Sequence, residues 1–220
     1  MTVPSTPAAG LYIFSAPSGG GKTSLARALA KDCVDVSISI SHTTRSRRSG
    51  EKDGQDYFFV NCATFKKMIE QGDFLEYARV FDHYYGTSRS PVGKALAAGQ
   101  KVILDIDWQG ARKVRRAAPG SVSVFFLPPS VEVLAERLAG RGRDSEDEID
   151  YRMERAISEM GHFDEYDYVL INDRFEDTVA ELKQLVLEGQ KPTSVNRLDL
   201  AALVKSAENV RLKKQDSADS

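Results

Sequence analysis

The chain has 220 residues, 41% hydrophobic and 28% charged, with a formal net charge of −2. That length buries a sizeable core, most naturally as one domain carrying an insertion or smaller lobe. A balance so close to neutral excludes a global field drawing the chain to nucleic acid or an anionic membrane, so anion binding has to come from local arginine clusters. Cys33 and Cys62 form no CxxC, and His42, His83 and His162 show no zinc spacing. Both cysteines are expected as reduced thiols of a cytoplasmic protein. No apolar run reaches the ~18 residues that span a bilayer. Residues 1–10 lack the regions of a signal peptide and are expected to be a flexible leader.

Leu11 to Phe14 reads as a buried parallel strand, followed by a Gly-rich turn and a helix over Ser24 to Ala30. Val36, Ile38 and Ile40 alternate with serines, the period of a half-buried strand. Arg45 to Gly54 reads as an exposed basic loop. Gln55 to Val60 and Phe74 to Phe81 are predicted strands, with a helix over Thr64 to Glu70 between them. Ser90 and Pro91 predict a helix start, serine as N-cap and proline at N1, with Gly99 as the stop. Val102 to Asp105 is a buried strand ending in a carboxylate, and a helix is predicted from Gln109 to Ala117. Ser121 to Leu127 is a third apolar strand. Ser130 caps a helix to Ala139, Gly140 and Gly142 break it, and Ser145 with Glu148 forms a capping box for a helix to about Glu159. Tyr168 to Ile171 is a strand, Glu176 to Glu188 a helix, and Leu198 to Val210 a last amphipathic helix. Residues 211–220 are polar and expected to be disordered.

Strands alternating with helices argue for an α/β domain on a mainly parallel sheet. The stretch from about 41 to 86 breaks the alternation and reads as a small β-rich lobe. There is no internal repeat.

The strongest motif is Ala16-Pro17-Ser18-Gly19-Gly20-Gly21-Lys22-Thr23, between a strand and a helix. It departs from GxxxxGK[ST] only at Ala16, a residue too small to spoil the turn. Polyphosphate needs converging backbone N–H groups and a helix N-terminus. Lys22 can reach the β- and γ-phosphates, and the Thr23 hydroxyl can ligate Mg2+. Asp105 and Asp107 end a buried strand, where a carboxylate can hold the hydration shell of Mg2+; Asp105 is expected to act through water.

With these motifs the chain resembles the guanylate kinase family. The likeness runs from about Leu11 to Glu188. It rests on Ser18 to Thr23, Ser41-His-Thr-Thr-Arg-Ser-Arg-Arg-Ser-Gly-Glu51, Asp56 to Phe59, Phe74 to Tyr77, Tyr84 to Thr87, Leu104 to Asp107, Gly140-Arg-Gly142 and Ile171 to Asp173. The resemblance implies a P-loop core over 11–188, a GMP-binding lobe at about 41–86, an arginine-bearing helical lid at about 137–155 and a C-terminal helical extension over 189–210. It implies an enzyme that uses Mg-ATP to convert GMP or dGMP to GDP or dGDP. By position it implies that Ser41, Glu76, Thr87 and Asp107 contact guanine and that Arg45, Arg48, Tyr57 and Tyr85 bind the GMP phosphate. Arg141 and Arg152 are implied on the ATP phosphates with Arg137 nearby, and Asn172 where the adenine approaches. Lys22, Arg141 and Arg152 are the implied catalytic set.

The chemistry suits these roles. Guanine presents N1–H and N2–H2 side by side, and one carboxylate can accept from both; adenine would leave it unpaired, a mismatch that can reject an analogue about 10⁴-fold. The planar fork of arginine bonds two phosphate oxygens at once. A GMP phosphate is mostly dianionic above its second pKa of ~6, so the reaction asks for no general base. The lobe and the lid are expected to close over both nucleotides and exclude water.

Blander readings stay open at this point. Arg45, Arg47 and Arg48 suit a solvated basic loop, and Arg47 lies outside the motif. Tyr84 and Trp108 read as packing residues. Arg137 and Arg141, four apart, could pair with Asp144 or Glu148. The alternatives in function are a P-loop kinase of another nucleoside monophosphate, a guanylate-kinase-like interaction module without catalysis, or a P-loop hydrolase. No nucleic-acid or membrane partner is expected, and a homo-oligomer is left open.

Overall fold

The first apolar run becomes β1, Leu11–Ser15, buried along its whole length. The computed structural model describes residues 10–80, 82–140, 146–192 and 199–207, and for 146–148 the backbone alone. After β1 come α1 (Lys22–Asp32), β2 (Val36–Ser39), β3 (His42–Thr43), β4 (Phe58–Phe59), α2 (Cys62–Glu70), β5 (Phe74–Val80), β6 (His83–Ser88) and α3 (Arg89–Ala97). They are followed by β7 (Lys101–Asp105), α4 (Trp108–Ala117), β8 (Val122–Leu127), α5 (Val131–Ala139), α6 (Glu146–Met160), β9 (Tyr168–Ile171) and α7 (Phe175–Lys183). A π-helical turn, Gln184–Glu188, prolongs α7, and residues 199–207 are helical.

The fold is α/β. One sheet has strand order β2-β7-β1-β8-β9, with β2/β7 and β8/β9 registered in parallel. Its strands β1, β7, β8 and β9 are mainly apolar runs because a parallel sheet flanked by helices is covered on both faces, whereas the edge strand β2 alternates with serines; Ile13, Phe14, Ile103, Leu104, Phe126 and Leu127 are all fully buried. A second sheet, order β4-β3-β6-β5, joins antiparallel β3/β6 and β5/β6 to the short parallel pair β3/β4. The chain divides into two compact units, residues 1–13 with 30–122, and residues 14–29 with 123–220.

Several boundaries differ from the sequence reading, each for a local reason. Only Phe58–Phe59 of the expected strand over Gln55 to Val60 is extended. Before it the chain is turned: the Gly54 amide donates to Tyr57 O at 2.9 Å and the Lys52 amide to Asp56 Oδ2 at 2.7 Å, the local side-chain bonding that diverts Asp-rich segments from a ladder. Helix α3 starts at Arg89 with Ser88 as N-cap, so Ser90 and Pro91 lie inside its first turn. Helix α4 starts at Trp108 because the Asp107 side chain accepts the Gly110 amide at 2.8 Å. Ser130 caps α5 as expected, accepting the Val133 amide. Residues 83–88, quoted as a motif but not as a strand, form β6. The leader over 1–9, the Ser145–Glu148 capping box, Leu198, residues 208–210 and the tail over 211–220 lie outside the described residues.

Candidate active site

In the unit of residues 30–122 the second sheet places three polar side chains in a row. The β5/β6 register sets Glu76 opposite Thr87. The β3/β6 register pairs His42 with Gly86 and Thr43 with Tyr85, so Ser41, one residue before β3, falls opposite Thr87 on its other side. A register shift between Phe74 and Glu76 makes this possible. With a strict period of two, both side chains would share a face; the bulge turns them apart. Phe74 then stacks on Phe65 of α2, ring centroids 4.5 Å apart, while Glu76 turns to the polar face.

Ser41, Glu76 and Thr87 are all buried. The Thr87 hydroxyl donates to Glu76 Oε1 at 2.7 Å, and the Ser41 and Thr87 hydroxyl oxygens are 3.5 Å apart. Burial pushes the Glu76 carboxyl up to about 7; the Thr87 hydrogen bond opposes this, Asp107 reinforces it and Lys113 opposes it. Asp107 Oδ2 also accepts from Gln109 Nε2 at 3.3 Å. Gly110, in the first turn of α4, is where close approach demands a glycine: a Cβ there would stand 2.7 Å from Glu76 Oε2 and 3.3 Å from Asp107 Oδ1. The expected guanine set of Ser41, Glu76, Thr87 and Asp107 is thus brought together.

The basic loop is not simply solvated. Arg45 forks onto Glu51, Nη2 to Oε1 at 2.6 Å and Nη1 to Oε2 at 3.1 Å, while Nη1 also donates to Ser46 O at 2.8 Å. The Arg48 amide donates to Glu51 Oε2 at 2.7 Å. Burial alone would raise the Glu51 carboxyl, but the bonds from Arg45 and the Arg48 amide, with both guanidinium charges, hold it below the ordinary glutamate value. The Arg45 guanidinium lies 5.5 Å from the Tyr57 ring centroid, and the Tyr57 and Tyr85 rings are 5.9 Å apart. Arg45, Tyr57 and Tyr85 therefore gather, whereas Arg47 and Arg48 are exposed side chains. Tyr84 stacks on Phe65 at 5.3 Å, and Trp108 carries the Arg112 guanidinium at 4.5 Å. Asp105 is the half-buried last residue of β7.

The unit of residues 14–29 and 123–220 holds the Gly-rich turn. With Ala16 in place of glycine the turn still closes, the Gly20 amide donating to Pro17 O at 2.9 Å. Lys22 and Thr23 open α1. Gly21 has φ +87°, and a Cβ on it would stand 2.4 Å from Asn172 Nδ2, so no side chain fits. Asn172 is 4% exposed and donates to Gly20 O at 3.0 Å. The resemblance implies Asn172 where the adenine approaches; its side-chain amide lies against the Gly-rich turn. Arg137 Nη2 donates to Asn172 O at 2.9 Å rather than to an acidic side chain. Arg137 Nη1 and Asn172 Oδ1 are buried without a hydrogen-bond partner among the described residues, two orphan atoms that a bound nucleotide could engage. From α6, Arg152 Nη2 donates to Ser18 Oγ at 3.5 Å and Glu159 Oε2 accepts the Ser18 amide at 3.0 Å. Arg141 lies outside the described residues.

Three residues that the sequence reading left without a role belong to this geometry: Glu51, Gly110 and Glu159. Each had a signal. Glu51 closes the arginine motif, a glycine inside a helix wants a packing reason, and Glu159 is seven residues from Arg152 on one helix face.

The family model described as Guanylate kinase matches residues 8–189. A guanylate kinase from Chromohalobacter salexigens is 58% identical over 176 residues, covering 80% of this chain and 82% of that protein. One from Methylococcus capsulatus is 56% identical over 176 residues, covering 80% and 86%. The crystal structure of guanylate kinase from Anaplasma phagocytophilum superimposes with a TM-score of 0.70 at 32% identity, covering 84% of this chain and 88% of that one.

Proposed function

The chain belongs to the guanylate kinase family, and on that premise we propose that it transfers the γ-phosphoryl group of ATP to GMP or dGMP, giving ADP and GDP or dGDP. It is a kinase and an enzyme; the interaction-module and hydrolase readings are not favoured. The observation that carries the substrate is the buried carboxylate of Glu76, oriented by Thr87. In its ionised form it accepts the N1–H and N2–H2 of guanine, while adenine offers it no such pair. Ser41, Thr87 and Asp107 complete the guanine contacts, and Arg45, Arg48, Tyr57 and Tyr85 take the GMP phosphate. GMP binding is assigned to residues 41–86 and the lid to 137–155.

An oxygen of the dianionic GMP phosphate attacks the γ-phosphorus, the bond from that phosphorus to the β,γ-bridging oxygen breaks, and the electron pair leaves with ADP. The residues have to neutralise charge and align the two anions. Lys22 and Arg152, with Arg141, supply that charge; the backbone amides of Gly19, Gly21, Lys22 and Thr23 cradle the phosphates; Arg137 Nη1 and Asn172 Oδ1 remain for the nucleotide. Mg2+ fits this donor set. The oxygens of Thr23 and, through water, Asp105 would suit a hard cation that keeps most of its waters. When bound, Mg2+ neutralises charge on the β- and γ-phosphates. We infer a cytoplasmic location from Cys33 and Cys62, which are thiols and form no disulfide. No described helix is long and apolar enough to cross a membrane.

The test is ADP formation from Mg-ATP with GMP, dGMP, AMP, UMP, dTMP or no acceptor, with Glu76→Gln alongside. Turnover with GMP and dGMP alone, weakened by the substitution, is expected. Turnover with another monophosphate would overturn the guanine assignment, and no acceptor-dependent turnover would overturn the kinase.

A further inference from the structure

Ser18 of the phosphate loop is gripped at two points by one helix. Its amide donates to Glu159 Oε2 at 3.0 Å, and its hydroxyl accepts from Arg152 Nη2 at 3.5 Å. Arg152 and Glu159 are seven residues apart, two turns of α6, and so lie on one face. The adjoining face of Met153, Ala156, Ile157 and Met160 is buried. A carboxylate on an amide of a phosphate-binding loop has a cost: it brings negative charge to a loop that receives polyphosphate. Either the carboxylate occupies the amide until phosphate displaces it, or it fixes something that transfer needs. The shared anchor favours the second, because what sits two turns away at the same serine is an arginine.

We propose that Glu159 is a positioning residue for phosphoryl transfer: by accepting the Ser18 amide it pins α6 to the phosphate loop and so sets the Arg152 guanidinium in place before ATP arrives. This rests on the kinase reading above. Glu159 touches no substrate; its effect passes through Arg152. Its role therefore requires an acceptor oxygen at that point on the helix more than a charge, and it vanishes when Arg152 is gone.

The experiment is a double-substitution cycle on the full chain, reading kcat and KM for ATP and GMP, with GMP affinity by titration calorimetry as the check on folding. Glu159→Ala is expected to lower kcat about 100-fold, the scale of a misplacement near 1 Å, with GMP affinity within about twofold of wild type. Glu159→Gln keeps an acceptor oxygen and is expected to recover kcat to within about fivefold. Adding either substitution to Arg152→Ala is expected to change kcat by less than about twofold, because the pair acts as a unit. Additive losses, or unchanged kcat in Glu159→Ala, overturn the proposal. So does a lower KM for ATP in both variants, the mark of a carboxylate competing with phosphate. Should Glu159→Ala lose GMP binding and hence its fold, the Glu159→Gln cycle decides in the same way. A wild type that forms no ADP with GMP removes the kinase reading itself, and the proposal with it.

Discussion

Glu76 and Thr87 face each other across the β5/β6 pair, joined by a 2.7 Å hydrogen bond between two buried side chains. A carboxyl so placed costs stability when it is ionised. Burial, the largest influence, raises its pKa from 4.5 to about 7, so between those values the folded protein holds a proton that the unfolded chain has lost. Stability from this group is therefore complete below pH 4.5 and is lost as pH rises through about 7. Glu76→Gln, which still accepts from Thr87, is expected to stabilise the ligand-free protein at pH 8 by up to about 3 kcal/mol, the free-energy equivalent of the shift. The gain should vanish near pH 4.5. Thermal unfolding of both proteins across that range checks it, and a pH-independent difference would remove the buried-charge account.

On the proposed guanine assignment, the same titration governs recognition. Guanine donates two hydrogens, so it pairs with the ionised carboxylate and not with the protonated acid. KM for GMP is expected to rise as pH falls below about 7, approaching tenfold per unit. The GMP phosphate also titrates near ~6, so the quantity to follow is the ratio of wild-type KM to that of Glu76→Gln, in which the phosphate cancels. A flat ratio from pH 5.5 to 8.5 would mean that Glu76 is not the guanine reader.

Glu51 occupies one edge of the Arg45 guanidinium and holds the Arg48 amide. That leaves the other edge of Arg45 directed by the carboxylate rather than by solvent. Glu51→Ala is expected to raise KM for GMP about tenfold, the scale of one lost hydrogen bond to a charged group, with a much smaller change in kcat. Steady-state kinetics with GMP varied at saturating ATP measures it. If Glu51 instead competed with the phosphate for Arg45, KM would fall.

The α/β alternation, the phosphate loop and most helix ends were legible in the sequence because they depend on local chemistry: apolar runs, Ser130 as a cap, Gly99 at φ +82° as a stop. The guanine set could be named by resemblance, but its geometry could not be read, since it depends on a bulge between Phe74 and Glu76 that no periodicity announces. Nor could composition foresee Asn172 on Gly20 or Glu159 on Ser18; both contacts join residues more than a hundred positions apart. The short strands β3 and β4, two residues each, exist through pairing alone.

Gly110 separates a local preference from a functional one. It lies in the first turn of α4, where alanine would normally favour the helix by about 1 kcal/mol. Here a Cβ would stand 2.7 Å from Glu76 Oε2, too close for a carboxylate already fixed at its other oxygen by Thr87. The strand and helix are packed elements, so the side chain of Glu76 has to move. Gly110→Ala is expected to raise KM for GMP at least tenfold while KM for ATP changes little and far-UV circular dichroism is unchanged. Kinetics with each nucleotide varied in turn checks this. An unaltered KM for GMP would show that Glu76 has room to retreat and still read guanine, and that the glycine serves only the turn.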